Sequence, residues 1–338
     1  MSILVTGATG FIGSHFCVEA LAQGLDLVLV DNFENSSEKV LDKIELLTGV
    51  KPDFHQVDLR DTEKLESLFK DYSFESVVHF AGYKAVGESS ADPLMYYRNN
   101  IVGSLNLLEM MKRYEVNNLV FSSSATVYSD PVFNPYTEEH RKLPINPYGN
   151  TKSMFEDIMQ DYAAANPHFS AVPLRYFNPI GAHPSGEMGE DPKGIPNNLM
   201  PFITKVAVGQ LKELQVFGDD YDTVDGTGVR DYIHVMDLAE GHIRAIAFAE
   251  NNTGYTPINL GAGKGYSVLE VIKAFEQQNN TSVPYKVVAR RAGDLAQYWA
   301  DATRAKDLLD WETQLTIEDM VKDSWGWQKK YPNGFNDC

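Results

Sequence analysis

Cysteine is nearly missing from this chain: two occur in 338 residues, Cys17 in an early apolar segment and Cys338 at the end. That leaves no disulfide framework and no thiolate metal set, and it reads as a protein of a reducing cytoplasm. The eight histidines form neither an HExxH pattern nor a Cys/His cluster, so no metal site is expected. Basic residues are scarce as well, 29 against 47 acidic ones, for a net charge of -18. Binding nucleic acid takes a broad cationic face, which such a balance argues against. Acidity of this kind keeps a surface solvated, but any anionic ligand must then be held by a few well-placed arginines. No apolar run approaches the ~18 residues of a membrane-spanning helix. The chain opens directly into Ser2-Ile-Leu-Val-Thr6, with no basic stretch and apolar core ahead of it. Internal repeats, low-complexity segments and a Ser/Gly linker are also lacking.

What is present in the first half is an alternation of short β-branched runs with helical patterns. Strands are expected at 3–6, 27–30, 54–57, 77–80, 119–122 and 171–174, with amphipathic crossovers between them. Parallel strands need such long right-handed crossovers, so the fold class is α/β with a doubly wound parallel sheet. The first crossover helix is expected from Ile12 to Gln23, stopping at Gly24. Beyond Arg175 the texture changes, and residues 178–230 read as a loop-rich region full of Pro, Gly and Asn. Shorter elements return at 235–249, 257–260, 268–277 and 285–288. We expect a first domain over residues 1–177 and a smaller mixed α/β region over 178–338, from which a segment near 231–261 rejoins the first. The two should pack around a cleft.

Gly7-Ala-Thr-Gly10-Phe-Ile-Gly13 follows the first strand and opens the first helix. Glycines there allow a tight turn and close backbone approach to a pyrophosphate, and the helix N-terminus offers free N–H groups. A glycine pattern alone is a weak signal, but Asp31 ends the second strand, where a carboxylate accepts from adenosine ribose hydroxyls. The same charge repels a 2′-phosphate, so NAD is expected and NADP is not. Asp58 ends the third run and could meet the adenine amine, and Phe80-Ala-Gly82 supplies small residues for close approach. This is a Rossmann-type site.

Tyr148-Gly-Asn-Thr-Lys152 lies on a helix that Asn146 can cap and Pro147 can start, with Phe155, Ile158, Met159 and Tyr162 as its apolar face. Tyr148 and Lys152, four apart, share one side of it. A phenol of ordinary pKa near ~10 is a poor base. A neighbouring ammonium and a positive nicotinamide ring would both favour the phenolate. Upstream, Phe121-Ser-Ser-Ser-Ala125 ends the fifth strand at the ligand-binding edge of such sheets, and Ser124 can bridge a substrate hydroxyl and Tyr148. A YxxxK pair alone is commonplace; its order after the glycine loop, the acid and a serine-tipped strand is specific.

With these motifs the chain resembles the extended short-chain dehydrogenase/reductases and, among them, the UDP-glucose 4-epimerases. The likeness runs nearly end to end, through His79-Phe-Ala-Gly-Tyr-Lys-Ala-Val-Gly-Glu-Ser89, Leu174-Arg-Tyr-Phe-Asn-Pro-Ile-Gly-Ala-His-Pro-Ser-Gly186, Gly194-Ile-Pro-Asn-Asn-Leu-Met-Pro201, Asp225-Gly-Thr-Gly-Val-Arg-Asp-Tyr-Ile-His-Val-Met-Asp237 and Tyr298-Trp-Ala-Asp301. The resemblance implies an NAD site lined by Phe11, Ile12, Asp31, Asn32, Asn35, Ser36, Asp58, Leu59, Phe80, Ala81, Gly82, Lys84, Asn99 and Ser122, besides the loop glycines Gly7, Gly10 and Gly13. Tyr148 and Lys152 would touch both reaction and cofactor, and Tyr176 would pack near the nicotinamide. For the UDP-hexose it implies Ser124, Tyr148, Asn178, Asn198, Leu199, Phe217, Arg230, Tyr232, Arg291, Asp294 and Tyr298. Arg230 and Arg291 can clamp a diphosphate by charge-assisted bonds, and Asp294 can hold the uridine ribose diol.

The implied reaction, part of galactose metabolism, interconverts UDP-galactose and UDP-glucose by transient oxidation. Tyr148 as phenolate takes the 4-hydroxyl proton while C4 gives hydride to tightly bound NAD, and the 4-ketohexose turns over before hydride returns to its other face. The resemblance also implies a homodimer, and a Tyr298 ring bordering the sugar C2 substituent. Ser129 departs from the family pattern, which has Gly after Tyr128, and Asn150 and Thr151 fill the YxxxK interior; neither change supplies or removes a catalytic group. A 4,6-dehydratase needs a carboxylate pair just after the strand-five hydroxyl, where this chain has Ser124-Ala-Thr126. A 4-epimerase of UDP-N-acetylhexosamine, UDP-glucuronate or UDP-xylose stays open as an alternative. A non-catalytic dinucleotide sensor would have no need of both Tyr148 and Lys152.

Overall fold

The computed structural model describes residues 2–128, 133–194, 196, 198–291 and 293–338. Ser129 lies outside the described residues, as do Ile195 and Asn197 of the 194–201 motif. The first half runs β1 (Ser2–Thr6), α1 (Phe11–Ala22), β2 (Leu27–Asp31), α2 (Lys39–Thr48), β3 (Asp53–Gln56), α3 (Thr62–Asp71), β4 (Phe74–His79), α4 (Val86–Ala91), α5 (Pro93–Tyr96), α6 (Gly103–Arg113), β5 (Asn118–Ser124), α7 (Pro147–Ala165) and β6 (Ser170–Tyr176). A π-helical stretch, Tyr97–Val102, joins α5 to α6. All six strands pair in parallel in the order β3-β2-β1-β4-β5-β6. The order reverses between β1 and β4, the switch point where doubly wound sheets open a crevice for ligands.

Strand alternation builds the two faces of this Rossmann-type sheet. Ile3, Val5, Leu27 and Leu29 join a core with Phe16, Val18, Val40 and Ile44 from α1 and α2. Leu4, Val28 and Val30 point the other way, among Leu65, Leu68, Leu107 and Phe155 from α3, α6 and α7. Because successive side chains leave opposite faces, apolar runs without alternation are what a sheet covered on both sides requires. All six expected strands are present, each a residue or a few from its expected bounds.

The second half adds β7 (Asn178–Ile180), α8 (Leu199–Ala207), β8 (Leu214–Phe217), β9 (Val229–His234), α9 (Val235–Asn251), β10 (Gly254–Tyr255), β11 (Ile258–Leu260), β12 (Gly265–Ser267), α10 (Val268–Asn279), β13 (Tyr285–Val288), β14 (Gln297–Tyr298), α11 (Thr303–Leu309) and α12 (Ile317–Lys330). Both β10 and β11 pair with β6 and so extend the large sheet, and α9 packs on α1. A smaller sheet places β9 between β12 and β14, with β7 also paired to β9, and β8 pairs with β13. Residues 178–230, read as loop-rich, therefore hold three regular elements and the start of β9. Helix α8 escaped the sequence reading because Pro201 looks like a breaker, yet in a first turn it removes no needed N–H. A core of Met200, Ile203, Leu214, Val216, Val271, Phe275, Met320 and Val321 binds these elements together.

Candidate active site

Gly7 is the tightest point of the glycine loop. It sits at φ 71°, and a Cβ there would lie 2.6 Å from the Ala81 nitrogen. A Cβ on Gly13 would lie 2.2 Å from the Gly7 carbonyl oxygen, so only glycine lets α1 begin this close to β1. Gly10 occupies the N-cap of α1 and no side chain among the described residues caps it, which leaves the first N–H groups of the helix to a ligand. Asp31 is oriented by three donors: Thr9 N at 3.2 Å, Phe33 N at 2.9 Å and Ser36 Oγ at 3.1 Å. These features, a crevice that a Cβ would fill, an uncapped helix start and a fixed carboxylate, fit NAD.

One continuous cavity of about 1160 Å³ is lined by every predicted cofactor residue: Gly7, Gly10, Phe11, Ile12, Gly13, Asp31, Asn32, Asn35, Ser36, Asp58, Leu59, Phe80, Ala81, Gly82, Lys84, Asn99, Ser122, Tyr148, Lys152 and Tyr176. The predicted substrate residues Ser124, Asn178, Asn198, Leu199, Phe217, Arg230, Tyr232, Arg291, Asp294 and Tyr298 line it too. The sequence reading missed Arg60, whose Nε donates to Asp58 at 2.8 Å while its Nη2 lies 2.5 Å from the other oxygen. With Asn32 also donating at 3.1 Å, the Asp58 carboxylate is held well below the usual range, chiefly by Arg60. The two-residue spacing of Asp58 and Arg60 was the available signal.

Helix α7 starts as expected: the Asn146 side chain accepts from Gly149 N at 2.8 Å, and Pro147 occupies the first turn. Tyr148 and Lys152 are both buried at the cavity wall. Ser124 Oγ accepts from Thr126 N at 3.2 Å and from Thr126 Oγ1 at 3.0 Å, so its own proton is free to go to the Tyr148 phenol. Burial raises the Tyr148 pKa above the ordinary phenol value, and the Ser124 hydrogen bond pulls it back. Lys152 stands beside the Tyr148 ring as a nearby charge, and the direct lowering of the phenol comes from Ser124. The Lys152 Nζ donates to the Ser122 carbonyl at 2.6 Å, lies 4.6 Å from the Phe121 ring centre and sits 6.0 Å from that of Tyr148. Burial lowers Lys152 itself to about 7, against a raising effect of Glu156.

The alternation along β5 sorts its serines. Ser122 and Ser124 face the cavity, Ser122 bonding the Tyr176 hydroxyl, while Ser123 turns away and donates to Glu156 at 2.5 Å. Glu156, one turn beyond Lys152, forms a buried ion pair with Arg175 of β6, Nη2 to Oε2 at 2.6 Å. On β9, Arg230 and Tyr232 line the cavity, and Asp231 points the other way to accept from the backbone of Ala262, Gly263 and Ala300. Register places Asn178 opposite Tyr232 and Tyr298 opposite Arg230, so one small sheet carries four of the substrate-side residues. The Arg230 guanidinium lies 4.7 Å from the Tyr298 ring centre, and that of Arg291 lies 4.3 Å from Phe217. Arg291 also pairs with Asp294 at 3.5 Å.

A family model described as GDP-mannose 4,6 dehydratase matches residues 4–324. The UDP-glucose 4-epimerase of Bacillus subtilis (strain 168) is 53% identical over 335 residues, 99% of either chain. This chain belongs to the UDP-glucose 4-epimerase family. Solved members of that family share its architecture throughout. The Bifidobacterium longum enzyme, in complex with NAD+ and UDP, superimposes with a TM-score of 0.95 at 51% identity, covering 99% of this chain and 100% of that one. The Stenotrophomonas maltophila enzyme, with bound NAD and formylated UDP-arabinopyranose, gives 0.96 at 46% identity over 98% and 99%. The dehydratase description of the broader family model finds no carboxylate pair at residues 125–126 of this epimerase-family chain.

Proposed function

We propose that this protein is an NAD-dependent UDP-glucose 4-epimerase that interconverts UDP-galactose and UDP-glucose through a 4-keto intermediate, in galactose metabolism. One observation carries the reading: the Tyr148–Ser124 pair stands in the same cavity as the glycine loop at one end and Arg230 and Arg291 at the other. Asp31, Ser36 and Asn35 would hold the adenosine end of NAD, the start of α1 its pyrophosphate, and Lys152 and Tyr176 its nicotinamide end. When bound, NAD supplies a reversible acceptor for the hydrogen and electron pair at C4 of the hexose.

The chain's own residues handle the proton and the grip. Tyr148 accepts the 4-hydroxyl proton and returns it, with Ser124 donating to the oxygen on which charge gathers. Arg230 and Arg291 hold the diphosphate, Asp294 the uridine ribose, and Asn178 and Asn198 the remaining polar groups. These two arginines would answer the problem of an anionic ligand on a chain of net charge -18. Anchoring the nucleotide while contacting the hexose lightly lets the 4-ketohexose present either face to Tyr148. Lining by both halves supports a division into an NAD-binding unit over 1–177, joined by the segment 231–261, and a UDP-sugar unit over the rest.

Leu94, Val102 and Leu105 are exposed on the α5–α6 stretch and Met154 is exposed on α7, which packs on α5 and on the π-helical turn; such apolar exposure suits a homodimer. Cys17 and Cys338 are both free, which agrees with a cytoplasmic setting. No helix among the described residues is long and apolar enough to cross a membrane. The test is to incubate the purified protein with UDP-galactose, adding no NAD, and follow UDP-glucose by NMR. Appearance of the glucose epimer supports the reading; unchanged UDP-galactose from protein that carries NAD would refute it.

A further inference from the structure

Between β7 and α8 the chain crosses from one half of the cavity to the other, and its residues 189–193 are fastened at almost every position. A Cβ on Gly189 would lie 2.3 Å from Cγ of Trp327, so the backbone seats directly on the indole of α12. Asp191 accepts from Phe335 N at 2.8 Å. Lys193 donates to the carbonyls of Phe33 at 2.8 Å and Glu34 at 3.2 Å, in the loop just past Asp31. Glu190 stands in the middle of this strap with a side chain only 10% exposed. Its Oε1 accepts from Lys84 Nζ at 3.0 Å and from Asn198 Nδ2 at 2.8 Å.

We propose that Glu190 is a positioning residue that couples the two half-sites, because one carboxylate oxygen holds one donor from each. The inference rests on the functional reading above, in which Lys84 serves the cofactor and Asn198 the UDP-sugar. An ammonium has three N–H donors and an amide two, so each keeps donors for its own ligand after bonding Glu190. With the strap fixed on Trp327, Glu190 sets the direction of both side chains. A ligand that orders Lys84 thereby orders Glu190 and Asn198, and the next ligand meets a donor already in place. Less freedom remains to be lost, which is positive coupling between the sites. By reciprocity, UDP must raise the affinity for NAD by the same factor as NAD raises that for UDP, and to the extent that this gain lies in the off-rate it shows as slower loss of NAD.

The experiment uses the protein as purified with its NAD. It is held with and without saturating UDP at a temperature where nucleotide escapes over hours, and retained NAD is read by absorbance after gel filtration. UDP should slow NAD loss about fivefold in the wild type, at the low end of measured couplings. Glu190→Ala should abolish that protection while calorimetry still shows UDP binding. Glu190→Gln, which keeps the acceptor and loses the charge, should fall between. Equal protection in all three proteins overturns the coupling, and so does faster loss of NAD by the same factor with and without UDP. A wild type that carries no NAD or binds no UDP would instead refute the functional reading itself, and the coupling along with it.

Discussion

Single side chains decide the chemistry at Tyr148. Its phenol is buried and raised above the ordinary range, and Ser124 is the neighbour that lowers it. Tyr148→Phe removes only the oxygen that carries the proton, so turnover should drop by about 10²–10⁴-fold, the usual worth of positioned acid–base groups. UDP affinity measured by calorimetry should hardly move; a Phe variant that retains NAD and near-normal turnover would exclude Tyr148 as the base. We propose that Tyr298 selects which sugar enters. Its ring is fixed between the Arg230 guanidinium and the rings of Tyr136 and Phe177, with centroids 6.0 Å and 5.9 Å away. A ring held on three sides cannot swing aside for an acetamido group, and tightly packed walls absorb added atoms poorly. The protein should handle UDP-N-acetylglucosamine poorly, and Tyr298→Cys should admit it at some loss of activity on UDP-galactose. Comparable kcat/KM for both sugars in the unmodified protein would contradict this gate.

Helix α7 shows how the elements are welded. Glu156 takes Arg175 of β6, Ser123 of β5 and the Tyr255 hydroxyl of β10, so one carboxylate pins the helix bearing Tyr148 and Lys152 to three strands. Arg175 is buried as well, and removing Glu156 takes away the main compensation for its charge. Glu156→Gln should lower stability by about 3–5 kcal/mol, read from urea unfolding, and adding Arg175→Met should recover part of the loss. A double variant less stable than the single one would show that the pair does more than neutralise itself. Such a weld could not be read from the sequence, because its members belong to four elements and share no spacing. By contrast β1 to β6 were legible in their β-branched runs, and the start of α7 in Asn146 and Pro147, because these signals are local. The lining of the cavity was legible through the resemblance, residue by residue. Helix α8 was hidden by Pro201, the direction of Asp231 by the pairing of β9, and Glu190 by neighbours that only the strap brings within reach.

For the whole molecule the telling groups are buried imidazoles. His15, His79 and His242 are fully enclosed, and burial holds them down to about 3, about 3 and about 4. Unfolded, each titrates near ~6.5, so between that pH and about 4 these three groups take up to about three more protons in the unfolded chain, set against the one that buried Asp231, raised to about 7, takes in the folded chain. Stability from this source is complete above the unfolded pKa and is lost as the pH falls. At pH 5 each histidine has shifted the balance by about 2 kcal/mol, and three together by roughly 6 kcal/mol, a large part of the 5–15 kcal/mol typical of a folded domain. Urea midpoints should therefore drop steeply between pH 6.5 and pH 5. His242 offers the clean test, since among the described residues its Nδ1 bonds only the Leu238 carbonyl within its own helix and its Nε2 has no hydrogen-bond partner. Its ring packs among Phe16, Phe80 and Tyr176, a setting that a phenyl ring suits. His79, bonded to both Thr6 and Ser104, would lose those bonds on replacement and confuse the reading. His242→Phe should change stability at pH 8 by a fixed, pH-independent amount and reduce the acid slope by about one proton, or 1.4 kcal/mol per pH unit. An undiminished slope would mean that carboxylates, not enclosed histidines, set the acid limit of this fold.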